Sequence, residues 1–315
     1  MSQIECYEPE FVRQYIQQHP TSLRTPLAIS WQHEVRRSLL LNDYDCCEAV
    51  LGSPEAFVLQ VQMMDENPEK TVLPANIQAL NQAALDVITL PELSVDLRLY
   101  ALGIMLSFAQ RLPEGNQGTP DAIKALPAQL ATFATEGTLR DMFEQLPALT
   151  HLQRQLITHL GSISFDWDKL IDCQRKMSLP LQISLLSLQD SNSEALMQEQ
   201  LLEVWNSQGE QNFEAQPWVW TNYLVYRLYH DTFPQHDRFS VLQCYLELVS
   251  DYFMLRTLFS LWVMDGSTLS HSQTISLFSV FEAWRHDPEC AHEREMLHQP
   301  QLEDELVSAF SLLIR

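Results

Sequence analysis

Four side chains that could do chemistry recur at helical spacing in the second half of the chain: Tyr223, Tyr226, Arg227 and His230. Steps of three and four residues put them on one helix face. That face gathers a cation, an imidazole and two phenols. A second unusual position is Arg256, which lies on a stripe of Tyr245, Val249, Tyr252, Phe259 and Val263. A charge on such a stripe needs a partner or a wet pocket. His230, Asp231 and Asp251 are candidates for that partner. Two readings follow. In one, Tyr223, Tyr226, Arg227, His230 and Arg256 line a cleft for a peptide or small ligand. In the other, they form a buried network that registers two antiparallel helices. The tendency of buried Arg and Tyr groups to find structural partners favours the network. No catalytic residue is assigned.

Other chemistries lack their residues. His286, Cys290 and His292 fall within seven positions, with His298 beyond. Pro288 disfavours the helix that would bring His286 and Cys290 together. A closed zinc site needs four ligands, so no metal is expected. Cys46 and Cys47 are adjacent, and adjacent helical side chains diverge. No G-x-S-x-G, H-E-x-x-H or G-x-G-x-x-G run occurs. Glycine is scarce, with 8 residues in 315 where about 7 % is usual. Folds that wrap cofactor phosphates in glycine loops are disfavoured accordingly.

The elements that must position these residues read as helices. From Leu93 to Arg111, Leu99, Leu102, Leu106 and Ala109 keep a helical period between Pro91 and Pro113. Further helices are expected over Glu8–Gln18, Pro74–Val87, Pro120–Ala134, Leu149–Leu160 and Ser193–Ser207. Four more are expected over Pro217–Thr232, Phe239–Met264, Ser270–Arg285 and Leu302–Leu313. Leu39–Leu41, Val58–Met63 and Ile183–Leu186 are apolar runs short enough for strands. The expected class is all-α, a multi-helix bundle-like array with one or two short strands. Pro113–Pro120 is the strongest loop signal. It suggests an N-terminal part, 1–113, and a C-terminal part, 119–315, which could form one continuous domain.

Charge narrows the partners. Forty-one acidic against nineteen basic side chains give a net charge of −22, and Lys70, Lys124, Lys169 and Lys176 are the only lysines. Nucleic acid needs clustered cations, so it is not an expected partner. An anionic membrane is excluded on the same ground. No transmembrane helix is expected, because the most apolar stretch, Phe239–Met264, carries Glu247, Asp251 and Arg256. The first twenty residues have no apolar secretory core, and the six cysteines form no short-spaced framework. A cytoplasmic protein with reduced thiols is expected.

Asn222–Pro234, Leu248–Arg256 and Leu269–Arg285 resemble the C-terminal helical region of bacterial flagellin lysine-N-methylases. Glu8–Tyr15, Arg36–Glu48 and Ser53–Phe57 resemble earlier stretches of that family. The resemblance implies a helical scaffold, flagellin as a candidate protein partner, and S-adenosylmethionine as a possible cofactor. If active, the protein would be a protein-lysine N-methyltransferase. Family members also carry an N-terminal cysteine-rich block thought to hold a metal or iron–sulfur centre. The chain has no cysteine from Tyr15 to Trp31, where that block should begin, and Cys46-Cys47 lacks companions. Two functions are therefore expected: a protein acting in, or accessory to, methylation of flagellin lysines, or a non-catalytic helical binding module without the metal centre. The acidic balance would suit a lysine-bearing partner.

Overall fold

The computed structural model describes residues 3–20, 26–113, 118–147, 149–188, 191–235, 239–297 and 304–314. Among them lie four strands, β1 (Gln3–Pro9), β2 (Leu27–Ser30), β3 (Glu34–Ser38) and β4 (Leu59–Asp65). The first seven helices are α1 (Glu10–Gln18), α2 (Tyr44–Leu51), α3 (Ala75–Ile88), α4 (Val95–Ala109), α5 (Thr119–Thr135), α6 (Thr138–Glu144) and α7 (Thr150–Leu160). The next seven are α8 (Cys173–Leu186), α9 (Ser191–Val204), α10 (Trp218–His230), α11 (Val241–Val263), α12 (His271–His286), α13 (Ala291–Leu297) and α14 (Glu305–Leu313). The fold is mostly helical, as the sequence predicts, with a small four-stranded sheet where one or two short strands are expected. No helix among the described residues is long and apolar enough to cross a membrane.

The chain divides into two compact units, each assembled from separate stretches. The first comprises Met1–Leu40, Glu48–Phe143 and Trp218–Cys244; the second comprises Leu41–Cys47, Glu144–Pro217 and Tyr245–Arg315. The loop 113–119 falls inside the first unit, and its residues 114–117 lie outside the described residues. So do residues 236–238, between α10 and α11.

In the first unit the sheet order is β2-β3-β1-β4. β1 runs parallel to β3 and antiparallel to β4, and β2 is antiparallel to β3. Ile4, Cys6 and Val35 form a small core on one face of it. α1 starts straight out of β1 at Pro9, whose fixed φ suits a helix entry. Its first N–H groups, at Glu10 and Phe11, are satisfied by the carbonyls of Val58 and Ala56. Phe11, Val12 and Tyr15 give α1 its buried face. α3 lays Ala79, Leu80, Ala83, Ala84 and Val87 into the core, and packs against α4, α5 and α10. Its alanines allow close helix approach. Ser94 caps α4 by accepting from the Leu97 N–H.

The second unit is an aromatic core inside a helical array. Phe213, Phe259 and Phe278 follow one another at ring separations of 5.1 and 5.3 Å, the first pair edge to face. Phe165 rests against Trp284 at 5.6 Å. Ser270 and Gln273 close a capping box at the start of α12. α7 packs against α8, α9 and α14. After α9 the chain widens into a π-helical turn, Trp205–Gly209. A Cβ at Gly209 would lie 2.5 Å from the Trp205 ring, so this turn needs glycine.

Of the three short apolar runs, Val58–Met63 supplies most of β4. Leu39–Leu41 follows β3 as irregular chain, and Ile183–Leu186 ends α8.

Candidate functional site

α10 carries four of the five candidate residues, all in the first unit. Tyr223 and Tyr226 are wholly buried and Arg227 nearly so. Spacing of four pairs them along the helix. The Arg227 guanidinium donates to the Tyr223 hydroxyl (3.1 Å) and to the Asp231 carboxylate (3.1 Å). Tyr226 stacks on the His230 imidazole, with centroids 4.9 Å apart and planes 17° from parallel. The tips then reach distant backbone. Tyr226 donates to the Leu39 carbonyl (3.0 Å), and His230 Nδ1 meets the Ser38 hydroxyl at 2.8 Å. Neighbours on the helix do the same. Asn222 donates to the carbonyls of Val50 and Ser53, Trp218 to that of Leu51, and Tyr229 to that of Tyr7. α10 is thus tied through side chains to residues 7, 38–39 and 50–53.

A second polar group, not singled out in the sequence, lies beside it. Arg36 and Glu34, both buried, form an ion pair on β3. Arg36 also donates to Asn81 (2.9 Å) and to the Tyr229 carbonyl (3.3 Å), with its guanidinium 5.2 Å from the Tyr229 ring centroid. Asn81, 1 % exposed, donates in turn to the carbonyls of Leu228 (2.8 Å) and Phe233 (2.7 Å). Burial raises the Tyr229 phenol well above the ordinary tyrosine range. The signal that could have found Arg36 was two adjacent arginines within a short extended stretch.

Arg256 belongs to the second unit. It donates to the Leu312 carbonyl (3.1 Å) and lies over the rings of Tyr252 and Phe253, 5.7 and 5.3 Å from their centroids. It borders a small pocket of about 20 Å³, together with Gln153, Gln198, Trp205 and Ser260. That is room for about one water molecule, in a lining made mostly apolar by Ile157, Leu201, Leu202 and Phe253. Gln198 donates to Gln153 (2.7 Å), which donates to the carbonyls of Ser311 and Ile314. An open groove of about 470 Å³ runs beside Glu199, Leu202, Glu203, Asn206 and Ser207. S-adenosylmethionine does not fit either place. The first is far too small, and the second offers the cofactor's carboxylate no cation and its adenine no aromatic ring.

The possible metal ligands are placed elsewhere in that unit. His286 pairs with Glu282 (3.2 Å), and Cys290 sits in a separate short turn, its thiol pushed up chiefly by burial. Cys46 and Cys47 are buried in α2. No group of three or more His, Cys, Asp or Glu among the described residues is placed to hold a metal ion, and His298 lies outside those residues.

Arg175 offers a pH test in the second unit. Buried against Trp262, it donates to both Asp265 oxygens (2.9 Å each) and to Ser267. The hydrogen bond from Arg175 is the main cause that holds the Asp265 carboxyl down at about 2. A depressed folded value means that the contribution is present above the unfolded value near 4 and is lost as pH falls towards 2. Half-exposure of Asp265 keeps the effect modest. Asp265→Asn should therefore flatten the fall of melting temperature between about pH 4 and 2. An unchanged slope would show that this carboxylate does not contribute.

The helical scaffold and the α10 region meet a known family at this point. The family model described as the FliB lysine N-methylase C-terminal domain matches residues 81–303. The match spans more than half of the chain, and the chain belongs to that family. Two curated relatives bear the name Lysine-N-methylase, one from Salmonella typhimurium strain LT2 and one from Salmonella choleraesuis strain SC-B67. Each is 20 % identical over 277 residues, covering 83 % of this chain and 66 % of the relative. The chain thus spans slightly less than two thirds of the length of these relatives. No solved structure matches it.

Proposed function

We propose that this protein is lysine-N-methylase-like and acts in, or accessory to, the methylation of flagellin lysines in the bacterial cytoplasm. The match of residues 81–303 to the lysine N-methylase C-terminal domain carries this reading. The net charge of −22 supports it, since an acidic protein attracts a lysine-bearing partner and speeds its encounter. A second reading is a non-catalytic helical binding module. It is supported by the two places open in the second unit, neither of which suits S-adenosylmethionine.

One experiment separates the two. Purified flagellin is mixed with the full chain and S-adenosylmethionine, then followed by co-sedimentation and by intact mass. Flagellin that gains methyl groups supports a methyltransferase. Flagellin retained without a mass change supports an accessory binding role. No retention and no mass change would remove flagellin as partner.

A further inference from the structure

Among the described residues, the sheet of the first unit ends in an open edge. β4 is the outermost strand, seven residues long, and every one of its residues is exposed. Its pairing with β1 runs one for one from Gln3–Asp65 to Pro9–Leu59 with no bulge. Such an edge presents a row of backbone N–H and C=O groups to solvent, a template for another strand. Soluble proteins usually block it with Lys, Pro, a bulge or a covering element. Between Leu59 and Asp65 there is no lysine and no proline. Instead Leu59, Val61 and Met63 alternate on one face, and Val61 and Met63 are 53 % and 56 % exposed.

Charge indicates what would cover it. β1 and β4 together carry Glu5, Glu8 and Asp65 and no Lys or Arg. Paired residues lie on the same face, so Glu5, opposite Met63, and Asp65 share the face of Leu59 and Val61. An added strand beside β4 would lie about 5 Å from it and about 10 Å from β1. Lysines on that strand would reach Asp65 directly and Glu5 across Met63. A second copy of this chain would bring the same carboxylates edge to edge, under the repulsion of two charges of −22.

We propose that β4 captures an extended, lysine-bearing segment of a partner protein by strand addition. Backbone hydrogen bonds would hold the segment, Leu59, Val61 and Met63 would take its alternate apolar side chains, and Glu5 and Asp65 its lysines. This rests on the lysine-bearing partner proposed above and adds how such a segment would be held.

The test uses a fluorescent ten-residue peptide of alternating valine and lysine, with the full chain. Binding should appear together with slowed hydrogen exchange in residues 59–65. Val61→Lys with Met63→Lys should weaken binding at least tenfold at unchanged melting temperature, because both side chains are exposed. Methylating alternate backbone nitrogens of the peptide should weaken it similarly. No binding, or binding without protection of 59–65, would overturn the proposal. So would a concentration-dependent dimer that protects the same strand in the absence of peptide. Flagellin retained by the double variant as well as by the parent would sink strand addition and leave the partner intact. Peptide captured at β4 with no retention of flagellin would do the reverse.

Discussion

Arg36→Met should cost the first unit about 3–5 kcal/mol, the range for a buried ion pair that loses one member. Glu34 is 7 % exposed and would lose its cation, keeping the Gln78 amide that donates to it from 3.1 Å. The acceptors Asn81 and the Tyr229 carbonyl would lose a donor in the same step. Arg36→Lys should recover only part of the loss, because an ammonium cannot reproduce the planar fork that serves several acceptors. Glu34→Gln combined with Arg36→Met should recover most of it, since the uncompensated charge is what costs. Denaturant titration of the three variants measures this. A loss below about 1 kcal/mol for Arg36→Met would show that the pair is not a structural element.

Glu282→Ala is the counterpart in the second unit, again at about 3–5 kcal/mol. Glu282 is fully buried and accepts from Arg285 through both oxygens (3.1 and 2.9 Å), with His286 Nε2 3.2 Å away. These contacts sit on the last turns of α12, where cations also favour the negative end of the helix. Removing the carboxylate leaves a guanidinium whose side chain is 8 % exposed. Glu282→Leu with Arg285→Met removes both charges and should be far milder than either change alone. A double-mutant cycle measures the coupling, and additive losses would refute it.

Helices were legible where prolines and a steady apolar period bounded them. α4, α7, α10, α11 and α12 lie within a few residues of their expected spans. Several other elements were hidden. β3 reads Glu34-Val-Arg-Arg-Ser38, a sequence that does not look like a buried strand until Glu34 and Arg36 are seen to neutralise each other. β1 was obscured by the helix signal that begins at Glu8, although its Ile4 and Cys6 alternate with exposed neighbours. In α8, Ile183–Leu186 looked strand-like because leucine and isoleucine runs carry no period of their own at that length. At the candidate residues, the pairs four apart on α10 followed from spacing. Their partners at Ser38 and Leu39 did not, because contacts between residues nearly two hundred positions apart leave no local pattern.

Flagellin lysine methylation in the intact cell tests the central claim most directly. The measurement is the mass of flagellin peptides from the parent strain, from a strain lacking this gene, and from that strain with the gene restored. The account predicts that methyl-lysine falls on deletion and returns on restoration, whether the protein transfers the methyl group or presents the substrate. Flagellin with the same methyl-lysine content in all three strains would contradict it.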